Sequence, residues 1–255
     1  MDVLLFHGRS EWKRAGISQF TIVPYISSYY NIFAEICMEW ADSLARKREN
    51  PLKWKQNKKG ETDMEARKLL EALKVAERLK DVPRHCYTSG GRRESVAEHC
   101  WRVSLMAYWL RDEFPEADMD KVIRMLLIHD LGEAFTGDIP TFEKTEAHEE
   151  AEAKALKEWV ESLPEPFAAE MAALYEEMEA RETVEAKLYK ALDGLEALIQ
   201  HNESDLSTWL PLEYDLQQVY AFDRVEFSPY LKGLRQEVLK DTLEKIEEGR
   251  RKEGK

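Results

Sequence analysis

The chain has 255 residues, of which 44% are hydrophobic and 34% charged, and a formal net charge of -13. That length suits one large domain, or one domain with an appendage. The acidic balance argues against sequence-independent nucleic-acid binding, which needs Lys and Arg to neutralise phosphates. A small anionic substrate stays open, because a metal ion and a few Arg side chains invert the sign inside one pocket. Only 11 Gly and 9 Pro are present, which favours helices over a strand-rich fold. Cys37, Cys86 and Cys100 are odd in number and lack a CxxC spacing, so neither a disulfide framework nor a structural zinc site is expected. Reduced thiols in the cytosol account for them, and a cytoplasmic location is expected. Val3–Phe6 is too short for the apolar region of a leader, and no apolar run reaches the length of a membrane span.

In chain order, residues 1–63 read differently from the rest. Tyr25–Arg48 fits an amphipathic helix behind Pro24, with Ile26, Tyr30, Phe33, Ile36 and Trp40 among its apolar positions. Lys53–Lys59, polar and basic, ends at Gly60 like a linker. A compact domain is expected over 64–250, with 1–63 as a partly helical extension of unassigned role. Its first helix carries Leu69, Leu70, Leu73, Val75, Ala76 and Leu79. Residues 81–93, with Pro83, Gly90 and Gly91, read as a loop. Ser95 followed by Glu98 is a capping box, and its helix should run to about Asp112.

Asp118 or Asp120 can cap the next helix, which carries Val122, Ile123, Met125, Leu126, Leu127 and Ile128 and is apolar on most faces, as a central helix would be. Gly137 and Pro140 mark a loop. Helices are then expected over 143–162, 167–180 and 182–202. The aromatic stretch 206–230 gives no clear pattern, and a charged helix occupies 228–249.

Four residues stand out chemically. His129 and Asp130 are adjacent at the end of the most apolar helix, where burying both is costly unless something pairs with them. His99 lies upstream, one turn into the capped helix. Asp193 lies downstream among Leu188, Leu192, Leu195, Leu198 and Ile199. Two imidazoles and two carboxylates suit a divalent first-row metal, and carboxylates push toward its harder members. Glu133 lies four residues after His129, so on a continuing helix it would share that face. A carboxylate near bound water can serve as a general base; a solvated helix-end carboxylate is the plain alternative. Asp138, after Gly137, is either functional or a turn residue. Arg84, Arg92 and Arg93 precede the His99 helix and could clamp a phosphate. His148 sits on an acidic face that reads as solvated. Cys86 and Cys100 could be proposed as nucleophiles, but Cys100 directly follows His99 on its helix, points away from that side and is expected to pack in the core. No GxxxxGK[ST] or GxGxxG loop is present.

The order His99, His129-Asp130, Asp193 resembles the HD phosphohydrolase superfamily. The words Glu94-Ser95-Val96-Ala97-Glu98-His99, then Ile128-His129-Asp130-Leu131-Gly132-Glu133, Thr136-Gly137-Asp138-Ile139-Pro140, and Lys190-Ala191-Leu192-Asp193 resemble its 5′-deoxynucleotidase branch. The resemblance covers roughly 68–205. It implies an all-α HD-domain helical bundle, a partner copy in a homodimer, and a small nucleotide substrate rather than nucleic acid or membrane.

It also implies one divalent ion (Mn, Co, Mg, Ni, Fe or Zn) held by His99, His129, Asp130 and Asp193. Glu133 and Asp138 would handle protons and orient water, and Arg84 and His85 would contact substrate. The implied reaction removes the 5′-phosphate of a (deoxy)nucleoside monophosphate by attack of a metal-bound water, with Arg84 helping to neutralise charge. A bacterial deoxynucleotidase carries Trp where this chain has His85, so selection of the 2′-deoxy sugar by the same means is not implied. Hydrolysis of (p)ppGpp or of a nucleoside triphosphate is an alternative, although (p)ppGpp hydrolases follow the Glu with Asp and here Ala134 follows Glu133. A non-catalytic nucleotide sensor is the other, set against intact Glu133 and Asp138.

Overall fold

A computed structural model describes residues 64–252 and residue 254. The expected extension 1–63, with its helix Tyr25–Arg48 and Cys37, lies outside the described residues. Those residues are helical apart from one small hairpin, as the all-α expectation requires. No helix among them is long and apolar enough to cross a membrane.

Helix α1 (Ala66–Arg78) leads into a hairpin, β1 (Pro83–Tyr87) antiparallel to β2 (Arg93–Ser95). The loop expected over 81–93 is therefore wrong in part. Proline-Arg-His-Cys-Tyr shows no apolar/polar alternation, so the strand leaves no periodic trace. Gly90 and Gly91 do mark its turn, and Gly91 takes φ 82, where a side chain would be strained. β2 runs directly into α2 (Val96–Leu110). The capping box forms: Ser95 Oγ accepts from the Glu98 amide at 3.3 Å, and the Ser95 amide donates back to Glu98 Oε2 at 2.9 Å.

Asp118 caps α3 (Met119–Ile128), accepting from the Lys121 amide at 3.0 Å. Val122, Met125 and Leu126 are fully buried, yet Leu127 is half exposed, so α3 buries one broad face rather than most of its circumference. It packs against α2 and against α7 (Val184–Glu203). Leu188, Leu192 and Leu195 of α7 complete this core, each side chain contributing about 1.5–3 kcal/mol. Between them lie α4 (Glu133–Thr136), α5 (Glu146–Glu161) and α6 (Phe167–Ala180). The helix expected from 143 starts three residues later, because Pro140 keeps 141–145 in a turn and Thr145 takes the cap position.

The stretch 206–230 resolves into 3-10 turns at Leu206–Thr208 and Asp223–Val225 around α8 (Glu213–Val219). Such short pieces carry too few residues for a period to emerge. The final helix α9 (Pro229–Lys252) pins them down. Its Arg235, fully buried, donates to the carbonyls of Tyr220 (2.9 Å) and Gln217 (3.0 Å) and lies over the Phe222 ring. Gln217 in turn donates to the Leu198 carbonyl of α7 at 2.6 Å.

Candidate metal centre

Four chain segments meet at one point. His99 comes from the first turns of α2, and His129 is the residue that ends α3. Asp130 lies in the turn that follows, and Asp193 is in the middle of α7. The Nε2 atoms of the two imidazoles are 3.2 Å apart. Asp130 Oδ2 lies 3.1 Å from His129 Nε2 and 3.8 Å from His99 Nε2. Asp193 Oδ1 lies 3.3 Å from His99 Nε2 and 3.6 Å from His129 Nε2.

The outward atoms of three of these side chains are already committed. His99 Nδ1 meets the Glu196 carboxylate. His129 Nδ1 donates to the Leu126 carbonyl at 2.8 Å. Asp193 Oδ2 accepts from Lys190 Nζ at 2.8 Å. In its neutral form, a ring whose Nδ1 donates carries its lone pair on Nε2. Two lone pairs and two carboxylate oxygens thus converge, which is unfavourable unless a cation stands between them. The spacing fits one: with bonds of about 2.1 Å, neighbouring ligands sit about 3.0 Å apart in an octahedron and about 3.4 Å in a tetrahedron. Asp130 and Asp193 stay partly accessible, at 23% and 16% of their side-chain surface, so the cluster is open on one side. Although burial opposes it, Lys190 and the two imidazoles hold the Asp193 carboxyl well below the usual range.

Behind the cluster sits a buried charge network that the sequence did not disclose. Glu196, 1% exposed, orients His99 and is flanked by Arg84 at 3.5 Å and Arg102 at 3.6 Å. Arg84 also meets Glu94 at 3.2 Å. Burial, and then Glu196, push the Glu94 carboxyl up to about 7. Glu94, His99 and Glu196 could be taken for a second cation site. They surround His99 Nδ1, and two guanidiniums already supply the positive charge there. Glu196 was findable in principle: it lies three residues after Asp193, on the same side of α7.

The remaining expected residues ring this point. Helix α3 ends at Ile128 and does not continue to Glu133; four residues of turn, 129–132, intervene, with the Glu133 amide donating to the Asp130 carbonyl at 3.1 Å. Glu133 is nevertheless buried, and its Oε2 has no hydrogen-bond partner among the described residues. Burial, followed by the charges of Asp130 and Asp138, pushes its carboxyl up to about 10. Gly137 takes φ 81, and Asp138 beyond it accepts the His85 amide at 3.2 Å. Arg84 and His85 line a cavity beside Asp138. Arg92 is exposed and paired with Glu98, and Arg93 lies over Tyr87, so neither reaches the cluster. Cys100 packs with Leu79, Val96 and Leu131. Burial pushes the Cys86 thiol up to about 12, which fits packing rather than attack. His148 is exposed.

Residues 76–234 match the family described as HD domain. The chain belongs to the HD-domain family. Among its relatives, human 5′-deoxynucleotidase HDDC2 is 36% identical over 143 residues, 54% of this chain and 69% of the human protein. A solved structure described as a predicted metal-dependent phosphohydrolase from Magnetospirillum magnetotacticum superposes with a TM-score of 0.61 at 30% identity, covering 72% of this chain and 97% of that one. A conserved hypothetical protein of Pyrococcus furiosus gives 0.54 at 34% identity, over 66% and 98%. The paired His129-Asp130 of this HD domain stands at the junction of α3 with its following turn, where one residue faces inward and the next faces the opening.

Proposed function

We propose that residues 64–250 form a metal-dependent phosphomonoesterase that removes the 5′-phosphate from (deoxy)nucleoside monophosphates. His99, His129, Asp130 and Asp193 would hold one divalent ion. The observation that carries this is the convergence of two imidazole Nε2 atoms and two carboxylate oxygens, with the outward atoms of both rings and of Asp193 otherwise tied. The likeness to proteins named 5′-deoxynucleotidase supports the substrate class. When bound, the ion polarises a phosphoryl oxygen and lowers the pKa of water toward neutrality.

The chain's own side chains supply the rest. Arg84 brings a permanent positive charge to the cavity wall, where a phosphate gathers negative charge as it reacts. Glu133, whose carboxyl burial and the neighbouring Asp130 and Asp138 push upward, can give a proton to the departing 5′-oxygen. Asp138, anchored by the His85 amide, offers its carboxylate to orient water at the same face.

Further parts of the proposal are a homodimer and a reducing, cytoplasmic setting. Trp101, Tyr108 and Trp109 are exposed along α2 and would suit contact with a second copy, and Cys86 and Cys100 are free thiols. The deciding experiment is phosphate release from a panel of nucleoside mono-, di- and triphosphates. Each of Mn, Co, Mg, Ni, Fe and Zn is tested after chelation. Monophosphates should be hydrolysed preferentially; no monophosphate turnover by protein shown to hold metal would refute the assignment.

A further inference from the structure

Beside Arg84 and Asp138 the surface falls into a cavity of about 150 Å³, whose deeper lining includes His85, His201, Glu213 and Gln217. That is room enough for a sugar ring. Its polar groups are held in place by the fold. Glu213 and His201 are each only 6% exposed. Glu213 Oε2 accepts the Leu210 amide at 2.5 Å. The His201 ring stacks on Trp209, 4.4 Å between centroids, and its Nδ1 faces Cys86 Sγ at 3.8 Å. His85 is braced edge-on by Phe142.

Within this frame hydrogen-bonding capacity is left over. His85 Nε2 is 2.9 Å from Glu213 Oε1, and His201 Nε2 is 3.5 Å from Glu213 Oε2. The His85 contact lacks hydrogen-bond alignment and the His201 contact is long, so neither imidazole nitrogen has a well-formed hydrogen bond among the described residues. Buried polar atoms without partners are rare and ask for one. What would satisfy this group must donate to a carboxylate and accept from an imidazole N–H at one position. A base amino group only donates and a base carbonyl only accepts, whereas a hydroxyl does both. The cavity adjoins the phosphate-side residues Arg84 and Asp138, and the part of a nucleotide next to its 5′-phosphate is the sugar.

Building on the nucleoside monophosphate activity proposed above, we infer that Glu213, with His201 and His85, binds a hydroxyl of the nucleotide's sugar. Glu213 accepts from the hydroxyl, and an imidazole donates to it. This makes Glu213 a specificity-determining residue.

The experiment is a substrate series on the metal-loaded full chain. Its members are 5′-monophosphates carrying both sugar hydroxyls, the 3′-hydroxyl only, or neither. A hydrogen bond to a charged group should favour the hydroxyl-bearing substrates over the dideoxy one by about ten- to a hundredfold in kcat/KM, mainly through KM. In Glu213→Gln that ratio should fall toward one, and His201→Gln should lower it in the same direction. Equal turnover of hydroxyl-bearing and dideoxy substrates by the unaltered chain would overturn the inference, and this arm needs no variant to fold. So would a Glu213→Gln chain that keeps the full ratio. No release from any monophosphate is a different result, which strikes the phosphomonoesterase proposal itself.

Discussion

Replacing Glu196 by Gln tests whether the metal centre depends on the layer behind it. Glu196 is 1% exposed, accepts from His99 Nδ1 and lies between Arg84 and Arg102. Gln keeps the shape and one acceptor but removes the charge that makes the His99 ring a stronger donor of its Nε2 lone pair. Losing such a partner typically costs ten- to a hundredfold in metal affinity or activity, about 1.4–2.7 kcal/mol. Ala would be a poorer test. It leaves two guanidiniums short of a partner, and breaking a buried pair one-sidedly destabilises by about 3–5 kcal/mol. With Gln, Arg84 retains Glu94 at 3.2 Å and Arg102 retains Glu203 at 2.7 Å, so the fold should hold. The assay is metal content after dialysis against graded chelator, alongside kcat/KM and a thermal melt. Wild-type metal retention together with wild-type turnover would refute the orienting role.

His129→Ala and Asp193→Asn should each abolish metal retention and phosphate release, measured by elemental analysis and a phosphate assay. Glu133→Gln should keep metal but lose most turnover. In metal-free protein the Glu133 carboxyl is raised from its ordinary value near 4.5 to about 10. Its contribution to stability is complete below about 4.5 and is lost progressively as pH climbs toward 10. The melting temperature of Glu133→Gln relative to the unaltered chain should therefore rise between pH 5 and pH 8, by an amount reflecting a few kcal/mol at most. A flat difference would show that Glu133 is not protonated in the fold. Ser95→Ala removes one half of the capping box and should lower stability by about 1 kcal/mol, read by denaturant unfolding.

What the sequence disclosed was local. The Ser95–Glu98 box and the Asp118 cap depend on residues three apart, and both form as their spacing implies. The core face of α3 and the leucines of α7 follow a 3.6-residue period, and they pack together. The four converging residues were visible through their order and neighbouring words, since no one of them differs from an ordinary buried polar residue. The hairpin was hidden because β1 is five residues long with no alternating pattern. The spacing of Glu196 from Asp193 puts it on the site's side of α7, but its partners were hidden: His99 is 97 positions away and Arg84 is 112. Glu213 fell in the stretch that carries no period, and only its burial between two imidazoles gives it significance.

The hairpin that feeds α2 has a mechanical consequence. Arg84 and His85 lie on β1, Glu94 lies on β2, and His99 lies in the first turns of the helix that continues β2 without a break. Ladder bonds and the Ser95 cap fasten these into one lever, so the wall of the cavity cannot shift without carrying the His99 ring along. The opposite wall is fastened differently. The segment beyond Gly137 meets the lever through one described hydrogen bond, from the His85 amide to Asp138, and through the edge of Phe142 against the His85 ring. If the cavity widens to admit a ligand, that bond is where it opens. The amide hydrogen of His85 should then exchange with solvent far faster than those of the ladder beside it, and slow down once a ligand closes the gap.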